Sequence, residues 1–186
     1  MRHKQVMVAL TFVGVLATLL FSAPSAPAHA QSGGDELAQL RAATARYHDL
    51  GQAKKHGYDL FTDAEGIACI ANPPLGAMGV HYVNGSLLGT LDPLKPQALV
   101  YAPGEDGTLH LAAVEYVVFQ AGWDAAHPDM APMLWGQMFM LTPAPNRYGL
   151  PAFYSLHVWV WMQNPSGAFA MWNPDVHCGN SADILR

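Results

Sequence analysis

The apolar positions of this chain fall into three kinds of run. Val6 to Phe21 is an unbroken stretch of 16 apolar and small residues. Between Asp35 and His56, Leu37, Leu40, Thr44, Tyr47 and Leu50 recur at spacings of three and four, which predicts a helix with one buried face. Asp35 and Glu36 suit its first turn and Lys54, Lys55 and His56 its last, with Gly57 placed to end it. Gly51 marks a weak point inside that helix. Beyond it the pattern becomes strand-like. Val80 to Val83 follows the glycine-rich Gly76-Ala-Met-Gly79 and precedes the turn pair Asn84-Gly85. Residues 97–102 and 108–119 flank Pro103-Gly-Glu-Asp-Gly107 and are expected to pair as a hairpin. Residues 153–163 and 168–172 are expected to form a second hairpin around Asn164-Pro-Ser-Gly167. The proline-rich stretch 123–151 has no sustained period and reads as a long structured connection.

One strand bears on the fold class. From Leu109 to Phe119 both alternating faces are apolar, whereas a sheet with one wet face alternates more cleanly. The expected class is therefore α+β: a mainly antiparallel sheet, barrel-like or strongly curved, with an N-terminal helix packed on it.

The first thirty residues carry the marks of a secretory signal peptide. Arg2, His3 and Lys4 precede the apolar run, Pro24 and Pro27 break it, and Ala28-His29-Ala30 supplies a small-x-small cleavage site. The run falls short of the roughly 20 residues that span a bilayer comfortably. The expected organisation is a cleaved signal peptide over 1–30, a flexible leader over 31–34 and one globular domain over 35–186, exported to the periplasm or the exterior, with no membrane span in the mature chain. Seven Lys/Arg then stand against fourteen Asp/Glu, and from residue 66 onward only Lys95, Arg147 and Arg186 are basic. Phosphate backbones need a basic face, so nucleic-acid binding is excluded as the role.

Export decides how the two cysteines are read. Thiols outside the cytoplasm are normally oxidised, which predicts a Cys69–Cys178 disulfide.

Three polar residues interrupt apolar strands: His81, Glu115 and His157. A buried carboxylate is costly unless paired, protonated or bound to metal, and few basic side chains are at hand. Two His and one Glu on neighbouring strands could present a facial ligand set to one divalent metal ion, with positions left open. In an enzyme built this way, Tyr82 or Tyr116 would donate a proton. The competing reading is a core network in which Glu115 and His157 satisfy each other. Trp159 and Trp161 lie two apart on the strand of His157 and would share its face, as a platform for a small ligand or as ordinary core. His127, Met130, Met133, Met138 and Met140 form a thioether-rich group suited to Cu(I), or to filling irregular core space.

Gly76-Ala-Met-Gly-Val-His-Tyr-Val-Asn84, Ala113-Val-Glu-Tyr-Val-Val118, Leu156-His-Val-Trp159 and Asn164-Pro-Ser-Gly-Ala-Phe-Ala-Met-Trp-Asn-Pro174 with Cys178 resemble a family of small exported bacterial proteins. The resemblance spans most of residues 35–178. It implies one exported domain and attaches no activity. The functional reading is thus an exported small-ligand or metal-binding domain, against a non-catalytic structural or interaction domain.

Overall fold

A computed structural model describes residues 28–179. The expected signal peptide lies almost wholly outside it, as do residues 180–186. The helical segment comprises α1 (Ala28–Thr44), a 3-10 turn over Ala45–His48 and α2 (Leu50–Lys55). The strands are β1 (Asp59–Leu60), β2 (Cys69–Asn72), β3 (Gly76–Val83), β4 (Ala98–Pro103) and β5 (Leu109–Phe119), then α3 (Gln120–Ala126), β6 (Met133–Leu134), β7 (Gln137–Met138), β8 (Met140–Thr142) and β9 (Phe153–Val158).

The main sheet is antiparallel throughout, in the order β1-β3-β4-β5-β9-β8, with β2 also pairing β3. Its two ends do not meet, so the expected barrel-like or strongly curved closure is wrong. The two-sided apolar character of β5 has another cause: the sheet is covered on both faces. On one face Val80, Tyr82, Leu99, Tyr101, Val114, Tyr116, Leu156 and Val158 pack with Leu40, Tyr47 and Ala53 of the helical segment. On the other, Val100, Ala102 and Ala113 pack with Trp159 and Val176 of the C-terminal segment.

The single N-terminal helix is also corrected. The α-helix stops at Thr44 and tightens into the 3-10 turn, and Asp49 restarts α-helix by accepting the Gly51 N–H at 2.8 Å. A side-chain oxygen that caps a backbone N–H is a helix start, so the break falls just before the glycine. Gly57 takes φ +83° beyond α2.

The β4–β5 hairpin forms as expected, closed by Gly104 N–H to Thr108 O at 2.7 Å. The second expected hairpin does not form. β9 ends at Val158 and pairs with β5 and β8 instead. The following chain folds back in turns, with Trp159 N–H on Ala168 O and both Trp161 and Met162 N–H on Ala112 O. Asn84-Gly85 makes no two-residue turn either; the Asn84 side chain accepts the Ser86 N–H and opens a 3-10 turn over Gly85–Leu87.

Gly79 shows why β3 is approached through glycines. It holds φ +111°, and a Cβ there would lie 2.5 Å from the Tyr101 carbonyl oxygen on the neighbouring strand. Gly79→Ala is expected to lower stability by about 1–3 kcal/mol, the usual cost of a residue held in such a backbone region. Urea titration checks this; an unchanged midpoint contradicts it.

Candidate functional site

The face carrying His81, Glu115 and His157 is set by register. On β3 and β5 the side chains alternate, so Tyr82 and Tyr116 go to the helical side and His81 and Glu115 to the other. Glu115 stands opposite His157 on one neighbour and opposite Ala98 on the other. Ala98 in turn opposes Val83, and His81 opposes Val100. A small side chain at 98 lets His81 reach across β4, placing its Nε2 3.4 Å from Glu115 Oε2.

His81 and Glu115 border a cavity of about 420 Å³. Its floor is the sheet, through Val83, Ala98, Val117, Phe153 and Ser155. Its other walls come from Phe61, Leu88, Met171 and the 143–150 connection, including Arg147, Tyr148 and Leu150. That connection is shaped by its own hydrogen bonds. Asn146 Nδ2 donates to Leu150 O, and Asn146 Oδ1 accepts from the Tyr148 and Leu150 N–H groups. Arg147 fastens it to Asp63 and Ala64: Nε and Nη2 donate to Asp63 Oδ2 at 3.1 and 2.7 Å, and Arg147 O accepts the Ala64 N–H.

The electrostatics are those of a carboxylate kept ionised in an apolar enclosure. Burial alone would raise the Glu115 carboxyl. Hydrogen bonding and charge from His81, charge from His157 and the Ser155 hydroxyl outweigh it and hold the group below its ordinary value. Burial likewise raises the Tyr148 phenol, helped by the Glu115 charge, to about 12. Burial would raise Asp63 too, but Arg147 and the N–H groups of Ile67 and Glu65 bring it lower.

His157 is different. It is 3 % exposed, and neither ring nitrogen has a hydrogen-bond partner. Its ring lies 6.0 Å from that of His81 and 4.7 Å from that of Trp159. Burial depresses its imidazole to about 4, and His81 adds to this while Glu115 opposes it. His81 Nδ1 is also buried and unpartnered.

Of the expected site residues, His81 and Glu115 therefore meet at the cavity, and His157 sits beside them in the core. Among the described residues no three His, Cys, Asp or Glu side chains are grouped to hold a metal ion. Tyr82 and Tyr116 are buried on the opposite face, where the Tyr116 hydroxyl donates to Pro93 O at 2.6 Å. Trp159 packs on His157, but Trp161 turns to the helical side, stacking edge-on with His48 and donating Nε1–H to Thr44 Oγ1. The two tryptophans thus make no common platform on the His157 face. They border a separate groove with Arg41. Met133 and Met138 oppose each other on β6 and β7 and are exposed, as are Met130 and Met140, so none of the four fills the core. His127 stacks on Trp123 at 4.0 Å.

Sequence reasoning misses Ser155, Arg147, Tyr148, Phe61 and Phe153. Ser155 is findable, because it sits two residues before His157 on the same strand and so shares its face. The others come from loops or from an apolar run that carries no polar marker.

Cys69 and Cys178 form the expected disulfide. Among the described residues no helix is long and apolar enough to cross a membrane. No protein-family model, curated protein or solved structure matches this chain.

Proposed function

We propose that this is an exported domain that binds a small, largely apolar molecule in the cavity between the sheet and the 143–150 connection. The observation that carries the reading is a carboxylate–imidazole pair, Glu115 and His81, bordering an otherwise mostly apolar enclosure of about 420 Å³. Ligand sites have this composition: apolar walls for affinity and a few placed polar groups for orientation, in volumes of roughly 300–1,000 Å³. A purely structural core would be expected to pack the space and leave no cavity against a charged group. A metal reading has less support, because among the described residues no three His, Cys, Asp or Glu side chains are grouped to hold an ion, and His157 does not border the cavity. The Cys69–Cys178 bond supports an oxidising, extracytoplasmic location.

N-phenyl-1-naphthylamine, an apolar fluorophore with one N–H, tests the cavity. Its emission is expected to rise saturably with the wild-type protein. Val117→Trp, which fills the half-buried floor position, is expected to weaken that binding about tenfold or more while circular dichroism stays native. No saturable binding, or equal binding by the filled variant, overturns the reading.

A further inference from the structure

We infer that the ligand is an organic ammonium ion: an apolar, aromatic-compatible body carrying one amine, whose positive charge is met by Glu115. The inference rests on the cavity being a ligand site and adds the charge of the occupant.

Three independent features of the enclosure converge on a cation. First, Glu115 is buried and ionised, and its cationic-capable neighbour is an imidazole nitrogen at 3.4 Å. Charge-assisted N–H···O contacts close to roughly 2.7–2.9 Å, so the carboxylate retains unmet capacity. The polar wall therefore offers an acceptor, the Glu115 carboxylate.

Second, among the described residues the cavity has one guanidinium on its wall, and it is already committed. Arg147 gives Nε and Nη2 to Asp63, which neutralises it. An anionic ligand would meet the Glu115 charge without an uncommitted cation on the described walls to offset it. Tyr148 adds no further charge, since its phenol stays protonated at neutral pH.

Third, aromatic rings line the same enclosure. Tyr148 lies with its ring centroid 6.1 Å from Phe61 and 5.8 Å from Phe153, and all three border the cavity. Ring faces carry partial negative potential and attract ammonium groups, most strongly where water is excluded. A carboxylate beside an aromatic cluster matches an arylalkyl- or alkylammonium at both ends. It matches a neutral arylalkyl alcohol at the aromatic end only, and sets an arylalkyl carboxylate's charge against that of Glu115.

The test is displacement of bound N-phenyl-1-naphthylamine by three probes on one skeleton: phenethylammonium, 2-phenylethanol and 3-phenylpropionate, near neutral pH. Phenethylammonium is expected to displace the fluorophore at a concentration about tenfold or more below the alcohol, with the propionate weakest. Glu115→Gln is expected to cost the ammonium about tenfold and to leave the alcohol little changed, which also reports that the variant's cavity is intact. The inference is overturned if the alcohol or the propionate matches the ammonium in the wild type, or if Glu115→Gln leaves ammonium affinity unaltered. If that variant does not fold, the wild-type ranking decides alone. Fluorophore binding without cation preference sinks this inference and leaves the cavity reading standing; no fluorophore binding sinks both.

Discussion

Replacing both Cys69 and Cys178 with serine is expected to lower the stability of the domain by about 4–5 kcal/mol. The two residues are 109 apart in sequence, and joining them removes a large loop from the freedom of the unfolded chain. The native-state consequence is equally specific. Cys69 opens β2, which pairs with β3, the strand that carries His81. Cys178 lies in the C-terminal segment, whose Trp159 and Val176 cover the second face of the sheet. The bond therefore pins that cover to the neighbour of a strand that forms the floor of the site. Urea melts of the double variant, and of the wild type with and without reductant, measure this. A double variant within about 1 kcal/mol of the wild type would show that the cover holds itself in place.

The second large effect is acid sensitivity in a window set by His157. An imidazole ordinarily takes its proton at 6.5, and in the folded protein burial pushes that to about 4. Below pH 6.5 the unfolded chain gains a proton there that the folded chain does not. Stability is thus fully present above about pH 6.5 and falls as pH drops toward 4, by about 3 kcal/mol at 1.36 kcal/mol per pH unit. Below that value both states are protonated and this contribution levels off. The lowered carboxyls of Glu115 and Asp63 act further down, since their stabilisation is intact above the ordinary values of 4.5 and 3.8 and is lost beneath them. His157→Phe is expected to remove the slope between pH 6.5 and 4. At pH 7 it should cost little, within about 1 kcal/mol, because neither nitrogen makes a hydrogen bond that would be lost. Thermal melts across that range decide. An equal slope in the variant, or a flat wild type, contradicts the assignment.

Much of the site's floor is legible in the chain, and its roof is not. His81, Glu115 and His157 stand out because a polar residue inside a strand of apolar neighbours must be accounted for, and period-two alternation does put all three on one face. The turn chemistry of Pro103–Gly107 locates the β4–β5 hairpin, and the expectation of export predicts the Cys69–Cys178 bond that forms. What fails is inference from a local pattern to a distant partner. Two apolar faces on β5 require two covers, and a closed barrel is only one way to provide them; here a broken helix and a folded-back C-terminal segment do so. The Trp159–Trp161 alternation reads as strand, but the strand ends at Val158, and the bends at Val160 and Trp161 turn the second indole elsewhere. Tyr148 and Arg147 lie in an aperiodic proline-rich connection whose shape depends on Asn146 and on a carboxylate 84 positions away. No spacing rule reaches that far.

The most direct test of the cavity as a binding site is to follow backbone amide resonances during titration with N-phenyl-1-naphthylamine. The largest shifts are predicted at Val83, Ala98, Glu115, Val117, Ser155 and Tyr148, on the sheet floor and the connection above it. Shifts centred instead on Trp161–Asn164 or on Ala71–Ala77, beside separate surface grooves, or no shifts at saturating fluorophore, would contradict it.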